Sequence, residues 1–70
     1  MEFLIVRFAT QRTVFVDGVA SGKTNKCFKV EVGRHRVDLG QPFNYEPQFR
    51  RPDVRETTVV SPLEVTFEKL

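Results

Sequence analysis

The chain contains one cysteine, one histidine and no tryptophan in 70 residues. A single cysteine excludes an internal disulfide framework. One cysteine and one histidine fall short of the four ligands that a structural zinc site takes. Long apolar runs are also missing. The longest, Phe3 to Val6, ends at Arg7, far short of the ~20 residues of a membrane-crossing helix. It is also too short for the core of a secretory leader, so no membrane insertion is expected. Charge of one sign is scarce, with eleven Lys and Arg against nine Asp and Glu, a net of +2. Residues 1–35 hold six basic and three acidic groups, and residues 36–70 hold five and six. That mild asymmetry is not the concentrated basic face of a typical nucleic-acid module.

The remaining composition is that of an ordinary globular chain, 40% hydrophobic and 29% charged. Seventy residues leave room for one domain, residues 1–70, around one core. Helical periodicity is absent. Apolar residues alternate with period two between turn signals, which predicts an all-β sandwich of about seven short, mainly antiparallel strands. Glu2–Ala9 reads as a first strand with Leu4, Val6 and Phe8 on one face. Arg12–Val16 follows, and Asp17-Gly18 gives a two-residue hairpin turn to Val19–Ser21, which breaks at Gly22. Lys26–Leu39 reads as a hairpin turning at Gly33-Arg34. In that register Val32 faces His35, Glu31 faces Arg36, Val30 faces Val37, Lys29 faces Asp38 and Phe28 faces Leu39. Gly40–Pro42 is a loop. Pro42, Pro47 and Pro52 keep the next stretch from being a central strand. Val54–Val60 and Leu63–Phe67 complete the strand set. The first of these offers an open edge, and a weak homodimer by edge pairing is expected there.

The order of these signals resembles the PEGA domain, a small β-sandwich family. The residues that carry the resemblance are Val14-Phe15-Val16-Asp17-Gly18, Gly22-Lys23-Thr24, Gly33-Arg34-His35-Arg36-Val37 and Asn44-Tyr45-Glu46-Pro47. Val54, Val59 and the closing strand Leu63–Phe67 add to it. The similarity covers roughly residues 4–68. The Pro-Glu-Gly-Ala tetrapeptide of the family is missing, with Ala9-Thr10-Gln11-Arg12 near its place, and Asn25 stands where a proline is common. The resemblance implies the sandwich and no catalytic residues. It also implies an envelope location if the chain is cut from a larger protein. A native start at Met1 implies a cytoplasmic one.

Several short patterns invite a chemical reading. Gly22-Lys23-Thr24 looks like the end of a phosphate loop, but the spacing from Gly18 is short and a strand follows where a helix is needed. It reads as a turn. Cys27 and His35 could suggest a nucleophile and base, but the hairpin register puts them on opposite faces. No catalytic, metal-binding or cofactor-binding set is expected, and the chain is not expected to be an enzyme. One stretch joins aromatic and basic groups: Phe43, Tyr45, Phe49, Arg50 and Arg51. Arginine and aromatic residues are enriched where binding energy concentrates, so these five are the candidate partner-binding residues. Tyr45 also stands at the family's recurrent tyrosine, which implies packing. The expected function is a non-enzymatic module that engages a protein or an envelope component. The alternative is a small basic β-domain that binds nucleic acid or another polyanion.

Overall fold

The computed structural model describes residues 1–70 as a helix-free chain of ten short strands. They are β1 (Glu2–Arg7), β2 (Thr13–Val16), β3 (Val19–Lys23), β4 (Phe28–Val30), β5 (Gly33–Arg34), β6 (Val37–Asp38), β7 (Tyr45–Glu46), β8 (Asp53–Val54), β9 (Leu63–Thr66) and β10 (Glu68–Lys69). β1 is the middle strand of one sheet, with β4 antiparallel on one side and β9 parallel on the other. β2 is the middle strand of a second sheet, between β3 and β6, both antiparallel. β5 pairs with β8, and β7 pairs with β10. A single bridge from Val37 to Arg50 carries the second sheet onward to residues 50–54.

Alternation explains which residues turn inward. Leu4 and Val6 from β1, Val14 and Val16 from β2, Val30, Val37, Val54 and Val65 meet in one buried cluster closed by Leu39, Tyr45, Phe8 and Phe67. Both sheets feed the same core, so each buries one face against the other. Ile5, on the opposite side of β1, is buried too.

The Asp17-Gly18 turn forms as its sequence predicts, joining Val16 to Val19 with φ of 54° and 82°. Two positive φ values are what a type I′ turn requires. Past β3, Thr24 and Asn25 stitch the chain to the segment that follows β1. The Thr24 hydroxyl donates to Thr10 C=O at 2.7 Å and accepts from Arg12 N–H at 2.8 Å. The Asn25 side chain pairs with both the N–H and C=O of Phe8. Asn25 has φ of 65°. Proline, locked near −65°, cannot adopt that conformation, so the departure from the family pattern has a backbone reason.

Four expectations are corrected. The Lys26–Leu39 hairpin does not form. Phe28–Val30 pairs with β1, Gly33–Arg34 with β8 and Val37–Asp38 with β2. Val30 and Val37 both face the core but lie in different sheets. Gly33 does have positive φ, 121°, at the crossing between the sheets and not in a hairpin turn. Alternation reports which face a residue buries, and cross-sheet pairing satisfies the same faces as the local hairpin. Secondly, β3 runs through Gly22 instead of stopping there. A Cβ at Gly22 would lie 2.6 Å from two ring carbons of Phe28, so this glycine leaves room for the ring. Thirdly, Val54–Val60 is not one strand. Only Asp53–Val54 pairs, Glu56 turns the chain at φ of 57°, and Val59 and Val60 sit exposed at the tip of a turn closed by Thr58 and Ser61. The continuous edge expected for dimerisation is therefore absent. Fourthly, Leu63–Phe67 faces inward as expected, but β9 pairs parallel to β1.

Candidate partner-binding face

The five aromatic and basic residues picked out between positions 43 and 51 separate into three settings. Tyr45 is 1% exposed and belongs to the core. Its hydroxyl donates to Gly40 C=O at 3.0 Å and accepts from Leu39 N–H at 3.2 Å. Phe8 and Phe67 meet its ring edge to face, at 6.1 and 5.5 Å between centroids. Phe43 is exposed beside it, with centroids 6.2 Å apart. Phe49, Arg50 and Arg51 lie elsewhere, on the flank beside β6, β8 and β9. Regular alternation through Phe43, Tyr45 and Phe49 is lost where β7 ends at Glu46.

Phe49 is 38% exposed and lies between two guanidinium groups. Arg36 Cζ is 4.4 Å from its ring centroid and Arg51 Cζ is 5.4 Å away. Such contacts hold a planar cation over an aromatic face. Arg51 also lines an open depression of about 330 Å³ together with Arg34, Arg36, His35 and Asp17. Arg50 points the other way, its Nε donating to Thr66 C=O at 3.0 Å. A groove of about 450 Å³ runs between residues 50–52 and β9.

His35 fixes the geometry of the depression. Its Nδ1 lies 2.6 Å from Asp17 Oδ2 and its Nε2 lies 2.7 Å from Glu31 C=O. Both partners are acceptors, so the doubly protonated ring is the form that satisfies both. The hydrogen bond to Asp17, helped by Glu31 C=O, raises the His35 pKa above 6.5. The same pair, with the Arg36 N–H, lowers the Asp17 pKa below 3.8. The acidic group in the depression is thus already engaged, and Arg34, Arg36 and Arg51 supply its outward charge. Glu2 is held below the usual carboxylate range by the N–H and hydroxyl of Thr57.

Sequence reasoning missed two features. Arg12 clamps the loop after β6. Its Nη2 donates to Leu39, Gly40 and Pro42 C=O, its Nη1 donates to Asn44 Oδ1 at 2.6 Å, and it lies 5.0 Å from the Tyr45 ring centroid. No local pattern betrays such a contact, which spans about thirty positions. The Asp17–His35 pair was hidden because the hairpin reading gave His35 a different neighbour. Cys27 is exposed and unpaired. Gly22-Lys23-Thr24 is strand and buried threonine, and its lysine donates to Thr13.

The family model of the PEGA domain matches residues 10–69. The chain belongs to the PEGA domain family. The matched segment starts after β1, so the strand at the middle of the first sheet lies outside it. No curated protein and no solved structure matches the chain. Membership places this PEGA domain among small β modules that are in general not catalytic. It names no ligand for the arginine–phenylalanine flank.

Proposed function

We propose that this PEGA domain is a non-enzymatic recognition module that engages a protein partner through the flank built on Phe49. The observation that carries this reading is the exposed Phe49 ring held between Arg36 and Arg51. An aromatic and arginines already fixed against each other lose little side-chain freedom on binding. Arginine and aromatic side chains are also the types that dominate interface energy.

The arginines lend weight to a second reading, a polyanion such as nucleic acid. Replacing Phe49 by a photo-crosslinking phenylalanine analogue in cells distinguishes the two. Protein adducts are expected, and Arg36→Glu combined with Arg51→Glu is expected to remove them. Adducts to nucleic acid, or protein adducts that survive the double charge reversal, would overturn the protein reading. Purified protein is expected to leave heparin and duplex DNA at low salt, because few phosphates would be neutralised and the salt slope would be shallow.

A further inference from the structure

We infer that the groove between β9 and residues 50–52 is a docking slot for one extended, acidic peptide segment, added to β9 as a further strand. The inference rests on the protein-recognition reading and specifies its mode. β9 is hydrogen-bonded to β1 on one side only. Phe67 N–H donates to Arg7 C=O at 3.0 Å. Strand parity then turns the main-chain groups of Leu63 and Val65 to β1, and those of Glu64 and Thr66 away from it, into the groove. Thr66 C=O accepts Arg50 Nε. Glu64 N–H, Glu64 C=O and Thr66 N–H have no partner within the protein.

The opposite bank has the same character. Arg50 N–H and C=O both bond to Val37, and Pro52 C=O accepts from His35 N–H. Arg51 alternates with them, so its N–H and C=O turn away from β6 with no protein partner. The groove is therefore bordered by two strand-like edges with main-chain donors and acceptors exposed. An added strand offers C=O and N–H groups in alternation and can complement such an edge. Nucleic-acid phosphates only accept hydrogen bonds and leave the open carbonyls unsatisfied. Charge selects among peptides. Arg50 and Arg51 stand on one bank, while the one acid of the groove, Glu64, lies 3.7 Å from Arg7. Acidic side chains on the added strand meet a net positive border. A second copy of the chain fits less well, because pairing β9 with β9 brings the two arginine pairs together.

The test uses the full chain, labelled with ¹⁵N, and end-capped peptides that alternate Glu or Asp with Val, Ile or Thr. Matched peptides with Lys in place of the acids, and duplex DNA, are the comparisons. The acidic peptides are expected to shift the Glu64, Thr66 and Arg51 amides and to slow their hydrogen exchange several-fold. Arg50→Glu with Arg51→Glu is expected to weaken binding by about tenfold or more, as loss of complementary charge does. Arg51→Glu alone, which leaves the Arg50–Thr66 bond in place, should weaken it by a smaller factor, with the free protein's spectral changes confined to the surroundings of Arg51 and Phe49. Peptide shifts on another surface overturn the slot and leave the recognition reading standing. Shifts with DNA and none with peptides overturn both. Equal binding of acidic and Lys peptides overturns the charge argument, and with it the proposed occupant. Protection of the same amides by raising protein concentration alone assigns the edge to a second copy and overturns the proposal, as does failure of every acidic peptide to protect them at millimolar concentration.

Discussion

Thr24→Val removes one hydroxyl and leaves the volume at that position nearly unchanged. Thr24 is 1% exposed, and its hydroxyl is the shared partner of Arg12 N–H at 2.8 Å and Thr10 C=O at 2.7 Å. Valine leaves both main-chain groups without a partner. Each lost hydrogen bond costs about 1 kcal/mol, and more where water cannot replace it, so the substitution should cost about 2 kcal/mol. For a domain of this size each kcal/mol lowers Tm by roughly 4–8 °C, which predicts a fall of about 10 °C. Total stability should be of order 5 kcal/mol, so the variant still folds and the loss is measurable. Thr24→Ser keeps the hydroxyl and loses a buried methyl, which costs roughly 1 kcal/mol. The order wild type, serine, valine is therefore expected in thermal and urea unfolding followed by far-ultraviolet circular dichroism. Amide exchange gives a second reading, because Arg12 N–H should lose protection in the valine variant. If valine proves as stable as serine or more so, the two hydrogen bonds are not what fixes threonine here, and the argument fails.

Other perturbations test other contacts. Arg12→Lys keeps the charge but cannot reach four acceptors in a plane. It should cost about 1–2 kcal/mol, and denaturation showing no loss would remove the clamp from the account of the Leu39–Asn44 loop. Gly22→Ala places a Cβ 2.6 Å from the Phe28 ring, so about 1–3 kcal/mol of overpacking is expected; an unchanged urea midpoint would show that the ring moves aside freely. The Asp17–His35 pair sets a pH dependence. The His35 pKa is raised in the folded state, so its contribution is complete below 6.5 and is lost as pH rises through the folded value. The Asp17 pKa is lowered, so its contribution is present above 3.8 and is lost as pH falls through the folded value. Tm should therefore be highest between those limits, and His35→Gln should flatten the alkaline limb; a limb that survives the substitution refutes the assignment to His35.

Much of the fold was legible because inward-facing residues follow simple alternation. Val14, Val16, Val30, Val37, Leu39, Val65 and Phe67 are all buried, as period two predicts. The Asp17-Gly18 turn was legible because its conformation depends on two residues alone. Pairing partners beyond that local hairpin were not. Val30 and Val37 bury the same faces whether they meet in a hairpin or stand in two sheets. The choice rests on contacts far away in sequence, such as Glu2 opposite Val30 and Val16 opposite Val37. The β-branched run ending in Val59-Val60 misled for a related reason. Propensity favours a strand there, but no partner strand or core surface receives it, and both valines are exposed. Tyr45 was legible through the family pattern, whereas the pairing of Phe49 with Arg36 joins residues from segments that only the fold brings together.

The prolines, read in the sequence only as limits on strand formation, bear directly on why the groove beside β9 stays open. Pro52 has no N–H to offer across the groove, and its C=O is taken by His35. Pro62 immediately precedes β9 and has no N–H to lengthen its hydrogen-bonding edge. Pro47 ends β7 after two residues, so the β7–β10 pair remains too short to extend along β9. An exposed edge is usually blunted by charge or proline on the edge itself. Here Pro47 and Pro52 limit the neighbours instead, while the edge carries Glu64 and Thr66, one acidic and one neutral, opposite two arginines. That arrangement leaves main-chain groups accessible and surrounds them with positive charge. Opposite charge across the groove favours an acidic strand, and like charge disfavours self-pairing, so selectivity comes from Arg50 and Arg51, the second of which also stacks on Phe49.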